Sequence, residues 1–400
     1  MVVLPFANLS NDPDQEYFAD GITDDLTTDL SRISGSFVIA RNTAFTYKGK
    51  PVDVKQLGRE LGVRYVIEGS ARRIGDQVLV NVQLVDGETA AHLWAERFET
   101  DLRNPLEAQS EITGRLARTL NVEVTRAVGR RVEREGGSDP DARDFAMRAR
   151  GLISGGYSAA ISQAAQLLYE HAPEKDPESI DAKTGIARVL VQRIVNGWSK
   201  SIEQDEARVE RLLIEALERD PNDAQLHEHM GTLRRSQNRL TEARAELETA
   251  VALDRNDTFA VRNLGLTLLQ LGQPVLAIPY YEKSLRLSPR DPYVAANYSG
   301  LGRCHLYLGH TEQAIDFLTK ARAANPKLDS VHFNLVAALS LRGDLSEARA
   351  ALTAAISLKS DLNSVAAFRG SSPAFNSSPF WALIEKTLVV GLRRIGFPDE

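Results

Sequence analysis

The chain has 400 residues, more than the ~100–200 of a typical domain, so two or three domains, or one domain plus a repeat array, are expected. With 43% hydrophobic and 26% charged residues it lies well away from disordered and collagen-like compositions. The 48 Lys+Arg against 54 Asp+Glu leave a formal net charge of −6 and a pI of about 5.8, which argues against nucleic acid as the main partner. Cys304 is the only cysteine, so neither an intrachain disulfide nor a cysteine-based zinc or iron–sulfur site can form.

The start, Met1 to Phe6, lacks a basic stretch and is broken by Pro5, so it does not read as a signal peptide. No run reaches the ~18 apolar residues of a membrane span. The first strand begins almost at once, which reads as a fragment or a late start codon. As written the chain is expected in the cytoplasm, with a periplasmic or membrane-anchored place as the alternative for a fragment.

In chain order, the apolar run Val2 to Leu4 predicts a strand, Tyr17 to Leu30 a helix and Phe37 to Ile39 a second strand. Asp53 is a candidate N-cap for a short helix with Val54, Leu57 and Leu61 on one face, and Gly62 a candidate left-handed stop. Three strands follow: Arg64 to Arg72, the alternating Val78, Val80, Val82 and Leu84, and His92 to Glu99, with turns at Ile74-Gly75-Asp76 and Asp86-Gly87. Asn104-Pro105 then opens a helix striped by Leu106, Ile112, Leu116 and Leu120. Residues 1–135 are thus expected to be an α+β domain of order βαβαβββα.

Beyond residue 136 strand alternation stops and the chain repeats itself. The small residues Ala243, Ala277, Ala314 and Ala348 are spaced by 34, 37 and 34 residues. A large residue follows each at four positions: Leu247, Tyr281, Leu318 and Leu352. Asn238, Gly272, Gly309 and Gly343 fall between two helical patterns, where a left-handed residue is needed. The Ala column lets two helix backbones approach and the large column fills the adjoining hole.

This pattern resembles the tetratricopeptide repeat, a helix–turn–helix of 34 residues; Tyr298, Leu301, Gly302, Ala314, Leu318 and Pro326 carry the likeness. Met230, Val336, Arg255 and Ser360 depart from it within single repeats. The resemblance implies an all-α superhelix: four repeats over 223–362, degenerate helical repeats over 136–222 with Gly155-Gly156 between helices, and over 363–400 a linker and a capping helix from Phe380 to Arg394. The amino-terminal third is similar to the TolB-like domain, through Leu4 to Asp12, Glu16 to Leu26, Ile39 to Asn42, Tyr47 to Gly49, Glu60 to Val66, Glu68 to Ser70 and Leu93 to Arg97. In bacteria such a domain commonly sits between an output module, a class III adenylate/guanylate cyclase or a winged-helix regulator, and a tetratricopeptide array. The closing Gly391 to Pro398 also resembles the tail of cyclase-linked members.

No Gly-rich phosphate loop ending in Gly-Lys-Ser/Thr and no His-Glu-x-x-His helix occurs, so no catalytic residue, cofactor or metal ligand is assigned. In His227-Glu228-His229 the histidines point about 200° apart on a helix. Glu16, Asp20, Asp24 and Asp25 read either as a divalent-ion cluster or as a solvated helix face. Trp94 and Phe98 share a strand face and Cys304 lies on a repeat helix; both read as core.

In the tetratricopeptide family the second, fifth, sixth, ninth and twelfth positions of each first helix face the concave side. Here they include Gln225, Glu228, Arg235, Phe259, Arg262, Asn263, Ser299, Arg303, Phe333 and Asn334. Arg235, Arg262 and Arg303 with Asn263 and Asn334 suit a carboxylate, and Phe259 and Phe333 suit apolar side chains, so the expected partner is a protein or peptide with an acidic or carboxy-terminal end. The lysines of the family's carboxylate clamp are missing. The functional expectation is a non-catalytic interaction and sensory scaffold of a bacterial signalling protein. One alternative is the regulatory part of a class III cyclase or winged-helix regulator; another is a cell-envelope scaffold.

Overall fold

The computed structural model describes all residues except 11, 13–14, 33–36, 102–104, 136–141, 154–157, 177–178, 290–292, 372–374 and 376–377. The described chain divides into two compact units, Met1–Val189 and Leu190–Glu400. That boundary lies beyond the expected one at residue 135, because the 31-residue helix that closes the sheet domain also packs on the helical hairpin that follows it.

In the first unit, strands β1 (Val2–Val3) and β2 (Ala7–Asn8) both pair in parallel with β3 (Tyr65–Ile74). The antiparallel partners β4 (Gln77–Asp86) and β5 (His92–Asp101) follow, giving the order β1-β3-β4-β5. Helices α1 (Glu16–Ser31) and α4 (Pro105–Glu135) cover one face of the sheet, burying Ile22, Leu26, Ile112, Leu116 and Leu120 against Ile67, Val80 and Leu84. On the other face α2 (Arg41–Phe45) and α3 (Val54–Leu61) enclose a smaller core around Val2, Ala44, Leu57 and Val66. Asp53 caps α3 by accepting from the Lys55 and Gln56 amides, and Gly62 ends it at φ 63°.

The expected strand at Phe37 to Ile39 is absent. That segment lies beside β1, with Ile39 N donating to Met1 O at 2.9 Å, but forms no ladder. Helix α2 and strand β2 are additions to the expected order. Asn104, the Leu106 side chain and Gly155-Gly156 lie outside the described residues.

Helices α5 (Ala142–Ile153), α6 (Ala159–Lys175) and α7 (Ile180–Val195) follow, and the second unit then stacks hairpins. After α8 (Ile202–Arg219) these are α9 (Ala224–Ser236) with α10 (Leu240–Leu253), α11 (Thr258–Gln270) with α12 (Pro274–Leu287), α13 (Val294–Tyr307) with α14 (Thr311–Ala324), and α15 (Asp329–Arg342) with α16 (Leu345–Leu358). The four residues that separate first and second helices are left-handed: Asn238 at φ 60°, Gly272 at 79°, Gly309 at 78° and Gly343 at 107°. Ala243, Ala277, Ala314 and Ala348 are fully buried where paired helices meet. Asp223 and Asp257 cap α9 and α11 through their side chains.

After α17 (Val365–Gly370) the last helix starts as α18 (Ser378–Ile384), passes through a π-helical turn at Glu385–Val389 and ends as α19 (Val390–Arg394). Its buried residues Phe380, Ile384, Leu388 and Leu392 recur every four positions. In a pure α-helix that spacing drifts by about 40° per step. The wider π turn offsets the drift and keeps the stripe on one face.

Candidate binding groove

The first helices α9, α11, α13 and α15 carry the residues that the sequence reading proposes for a groove. Three arginines stand on successive helices: Arg235 on α9, Arg262 on α11 and Arg303 on α13, each half-buried. None forms an ion pair with a carboxylate among the described residues. They are held instead by aromatic faces. The Arg262 guanidinium sits 4.8 Å from the Phe259 ring centre and 5.1 Å from that of Tyr293, and Arg303 lies 5.5 Å from the Phe380 ring with the Tyr307 hydroxyl beside it.

Arg235 has a buried Nε with no hydrogen-bond partner. Burial, and after it the charges of Arg262 and Arg303, hold its guanidinium down at about 10. The phenol of Tyr281, rising from α12, feels all three arginines. Burial still keeps its ionisation above the usual value, so it stays a neutral hydroxyl among them.

Glu228 and Asn263 are committed elsewhere. Asn263 Nδ2 donates to Glu228 Oε1 at 2.7 Å and to Thr232 Oγ1 at 3.0 Å, while the other carboxylate oxygen contacts His229 Nδ1. Burial alone would raise the Glu228 carboxyl, but the charge of His229 and the donors His229, Thr232 and Asn263 outweigh it and hold it well below the ordinary range. Asn263 is therefore a buried tie between neighbouring repeats. Its amide is spent on Glu228, so its expected place among the partner contacts is corrected.

The far end of the groove is covered by the chain itself. The last helix packs across the first helices α11, α13 and α15. Phe380 packs edge-on to Tyr307 with centroids 6.0 Å apart. Phe333 is fully buried between Phe368, 5.8 Å away, and Phe397, 6.1 Å away, and Asn334 is buried with its amide donating to Ser330 O at 2.6 Å. Neither is available to a partner as the sequence leads one to expect: apolar burial has sealed both. Gly391 makes the fit possible, since a Cβ there would stand 2.6 Å from Ala337 O. The Pro398 and Asp399 carbonyls then accept from the Val365 and Ala366 amides, satisfying the start of α17.

The remaining candidates are structural. His227 binds Glu246 at 2.7 Å and Pro221 O at 3.0 Å, facing away from His229. In the acidic cluster, Lys48 bridges Glu16 at 2.7 Å and Asp20 at 2.6 Å, Arg41 pairs with Asp24, and Asp25 accepts from Gln109. Among the described residues no group of three or more His, Cys, Asp or Glu is placed to hold a metal ion. Trp94 and Phe98 pack at 6.2 Å in the sheet core. Cys304 is buried, which pushes its thiol up to about 12.

The carboxy-terminal part is a tetratricopeptide superhelix, and the amino-terminal part contains a small sheet. Residues 257–327 match one tetratricopeptide-repeat family, and residues 210–258 and 300–363 match a second. Residues 1–115 match the second domain of HilA/YgeH-like transcriptional regulators.

The chain is 40% identical over 227 residues to Putative adenylate cyclase 3 of Rhizobium meliloti (strain 1021), an overlap of 57% of this chain and 38% of that protein. The match thus spans well under half of its relative's length. The crystal structure of the APC/C hetero-tetramer Cut9–Hcn1 is similar in fold, with a TM-score of 0.50, 15% identity, and 69% of this chain and 49% of that one covered. YrrB, a tetratricopeptide protein with an unusual peptide-binding site, aligns at a TM-score of 0.37 and 21% identity over 50% of this chain and 96% of that one. No described helix is long and apolar enough to cross a membrane.

Proposed function

We propose that this chain is the interaction and sensing portion of a bacterial signalling protein, and that the open part of its groove docks an acidic segment of a partner polypeptide. The observation that carries the reading is the set of Arg235, Arg262 and Arg303 on successive groove helices, propped by aromatic rings and paired with no acid among the described residues. Uncompensated guanidiniums in a half-buried groove are costly to folding and favourable for an anionic ligand, a balance that suits a binding surface. Phe259 and Tyr293 supply an apolar wall for the flanking side chains of an extended peptide.

The output activity belongs, in this reading, to a further module of the parent protein, and the chain itself is non-catalytic. Similarity to a protein described as an adenylate cyclase favours a cyclase, with a cytoplasmic location. The match of residues 1–115 to a transcriptional regulator's second domain favours a winged-helix regulator as the second reading. The TolB-like likeness of the same residues fits either, and an envelope scaffold is the third. Titration of acidic-ended peptides against the wild-type chain, Arg262→Ala and Arg303→Ala tests the groove. Binding weakened about tenfold by each substitution supports the proposal, and unchanged affinity refutes it.

A further inference from the structure

Along the repeat frame the column of His227 recurs as Val261, Tyr298 and His332, and that of Glu246 as Tyr280, Phe317 and Ala351. The two columns meet in the third repeat, where Tyr298 stacks on Phe317 with centroids 6.4 Å apart, and in the first, where His227 Nδ1 lies 2.7 Å from Glu246 Oε2. Of the four repeats, the first alone places an imidazole and a carboxylate there. His227 Nε2 has a second partner at 3.0 Å, the Pro221 carbonyl in the turn between α8 and α9. A carboxylate and a carbonyl both accept and neither donates, so both ring nitrogens must carry protons, which only the imidazolium does. His332 makes the same reach to the proline carbonyl six residues before it, Nε2 to Pro326 O at 2.8 Å. Its column partner is Ala351, so that arrangement asks for one proton and not two.

We propose that His227 is a proton-operated latch: as the imidazolium it ties the α9–α10 hairpin to the turn before α9, and on losing its proton it lets that turn go. Deprotonation leaves one donor for two acceptors. A proton kept on Nδ1 preserves the bond to the charged carboxylate, the stronger of the two, and turns the Nε2 lone pair on the Pro221 oxygen, so the carbonyl is the contact released. The bond to Glu246 outweighs burial and holds the ring above its ordinary 6.5, with the Pro221 carbonyl and the charge of Asp223 adding to it. Glu246 from α10 and Asp223 from the cap of α9 are the charged groups that act on the ring; among the described residues α8 and α11 contribute none. The latch is therefore fully set below pH 6.5 and is lost as pH rises through the higher folded-state value. It uses none of the groove arginines and stands whether or not the groove binds a partner.

The test follows the full chain by nuclear magnetic resonance, labelled with heavy nitrogen at histidine, from about pH 6 to about pH 9. The His227 ring is expected to titrate above 6.5 and to carry protons on both nitrogens below its midpoint. In Glu246→Gln the midpoint is expected to fall, because a neutral amide no longer favours the charged ring. Amide exchange over residues 220–228, corrected for its own dependence on pH, is expected to quicken as the wild-type ring loses its proton. That step is expected to vanish in His227→Gln and to remain in His332→Gln. A wild-type midpoint at or below 6.5, or one that Glu246→Gln leaves in place, overturns the charged bridge. Exchange that stays flat through the titration, a step that survives in His227→Gln, or one that vanishes in His332→Gln overturns the latch, even where the ring titrates as expected.

Discussion

The two ends of one groove, built on the same repeat frame, have opposite fates. At the ninth position of the first helix α13 carries Arg303, and α15 carries Ala337. The arginine keeps its face half-open to solvent. The alanine admits Gly391 of the last helix to within van der Waals distance, and Phe333 and Leu339 are buried with it. A repeat fixes the backbone scaffold, and a few groove columns then decide whether a face stays charged and open or is closed by the chain's own apolar helix. Arg303 stands at the border, its guanidinium against Phe380 of the covering helix. The covered end thereby shapes the open one.

The strongest way to break the contrast is at the closed end. Gly391→Leu forces a side chain into Ala337 and is expected to cost about 3 kcal/mol or more in urea unfolding, with Trp381 emission shifting to the red as the last helix leaves its seat. A variant as stable as wild type, with unchanged emission, contradicts the described seat.

Next comes the tie between repeats. Asn263→Ala leaves the buried Glu228 carboxylate short of a donor and is expected to cost about 1–3 kcal/mol at neutral pH. Glu228 is held below its ordinary value of 4.5, so its contribution is full above that pH and is lost as pH falls further. Acid titration of unfolding free energy is expected to show this loss in wild type and a flatter profile in Glu228→Gln. The smallest effect belongs to the open end: Arg235→Ala removes a guanidinium held down first by burial and then by Arg262, and because loss of its packed stem offsets relief of the buried charge, stability is expected to change by less than about 1 kcal/mol while binding falls.

Much of this was legible in the residues. Asn238, Gly272, Gly309 and Gly343 announced the inter-helix turns because only a left-handed residue fits there, and Asp53 and Gly62 announced the ends of α3. The Ala column could be placed by spacing alone. What spacing does not encode is which surface a segment chooses. Phe380, Ile384, Leu388 and Leu392 declared an apolar face, but not that α13 and α15 would receive it. A signal was present, since α15 buries the unbroken run Val331 to Ser340 and so has little left to offer solvent. Asn263 read as a groove contact because its partner Glu228 lies 35 residues earlier, a pairing fixed by the stacking of repeats. The failed strand at Phe37 to Ile39 has β-forming residues and lies beside β1, but it makes no ladder there.

The groove is proposed to admit an anionic polypeptide at its arginine-lined end while the far end stays closed. Hydrogen exchange of the full chain with and without an acidic-ended peptide distinguishes the two ends. New protection confined to α9, α11 and α13, with α15 and the last helix unchanged, is the predicted result; protection appearing first in α15, or displacement of the last helix, would contradict it.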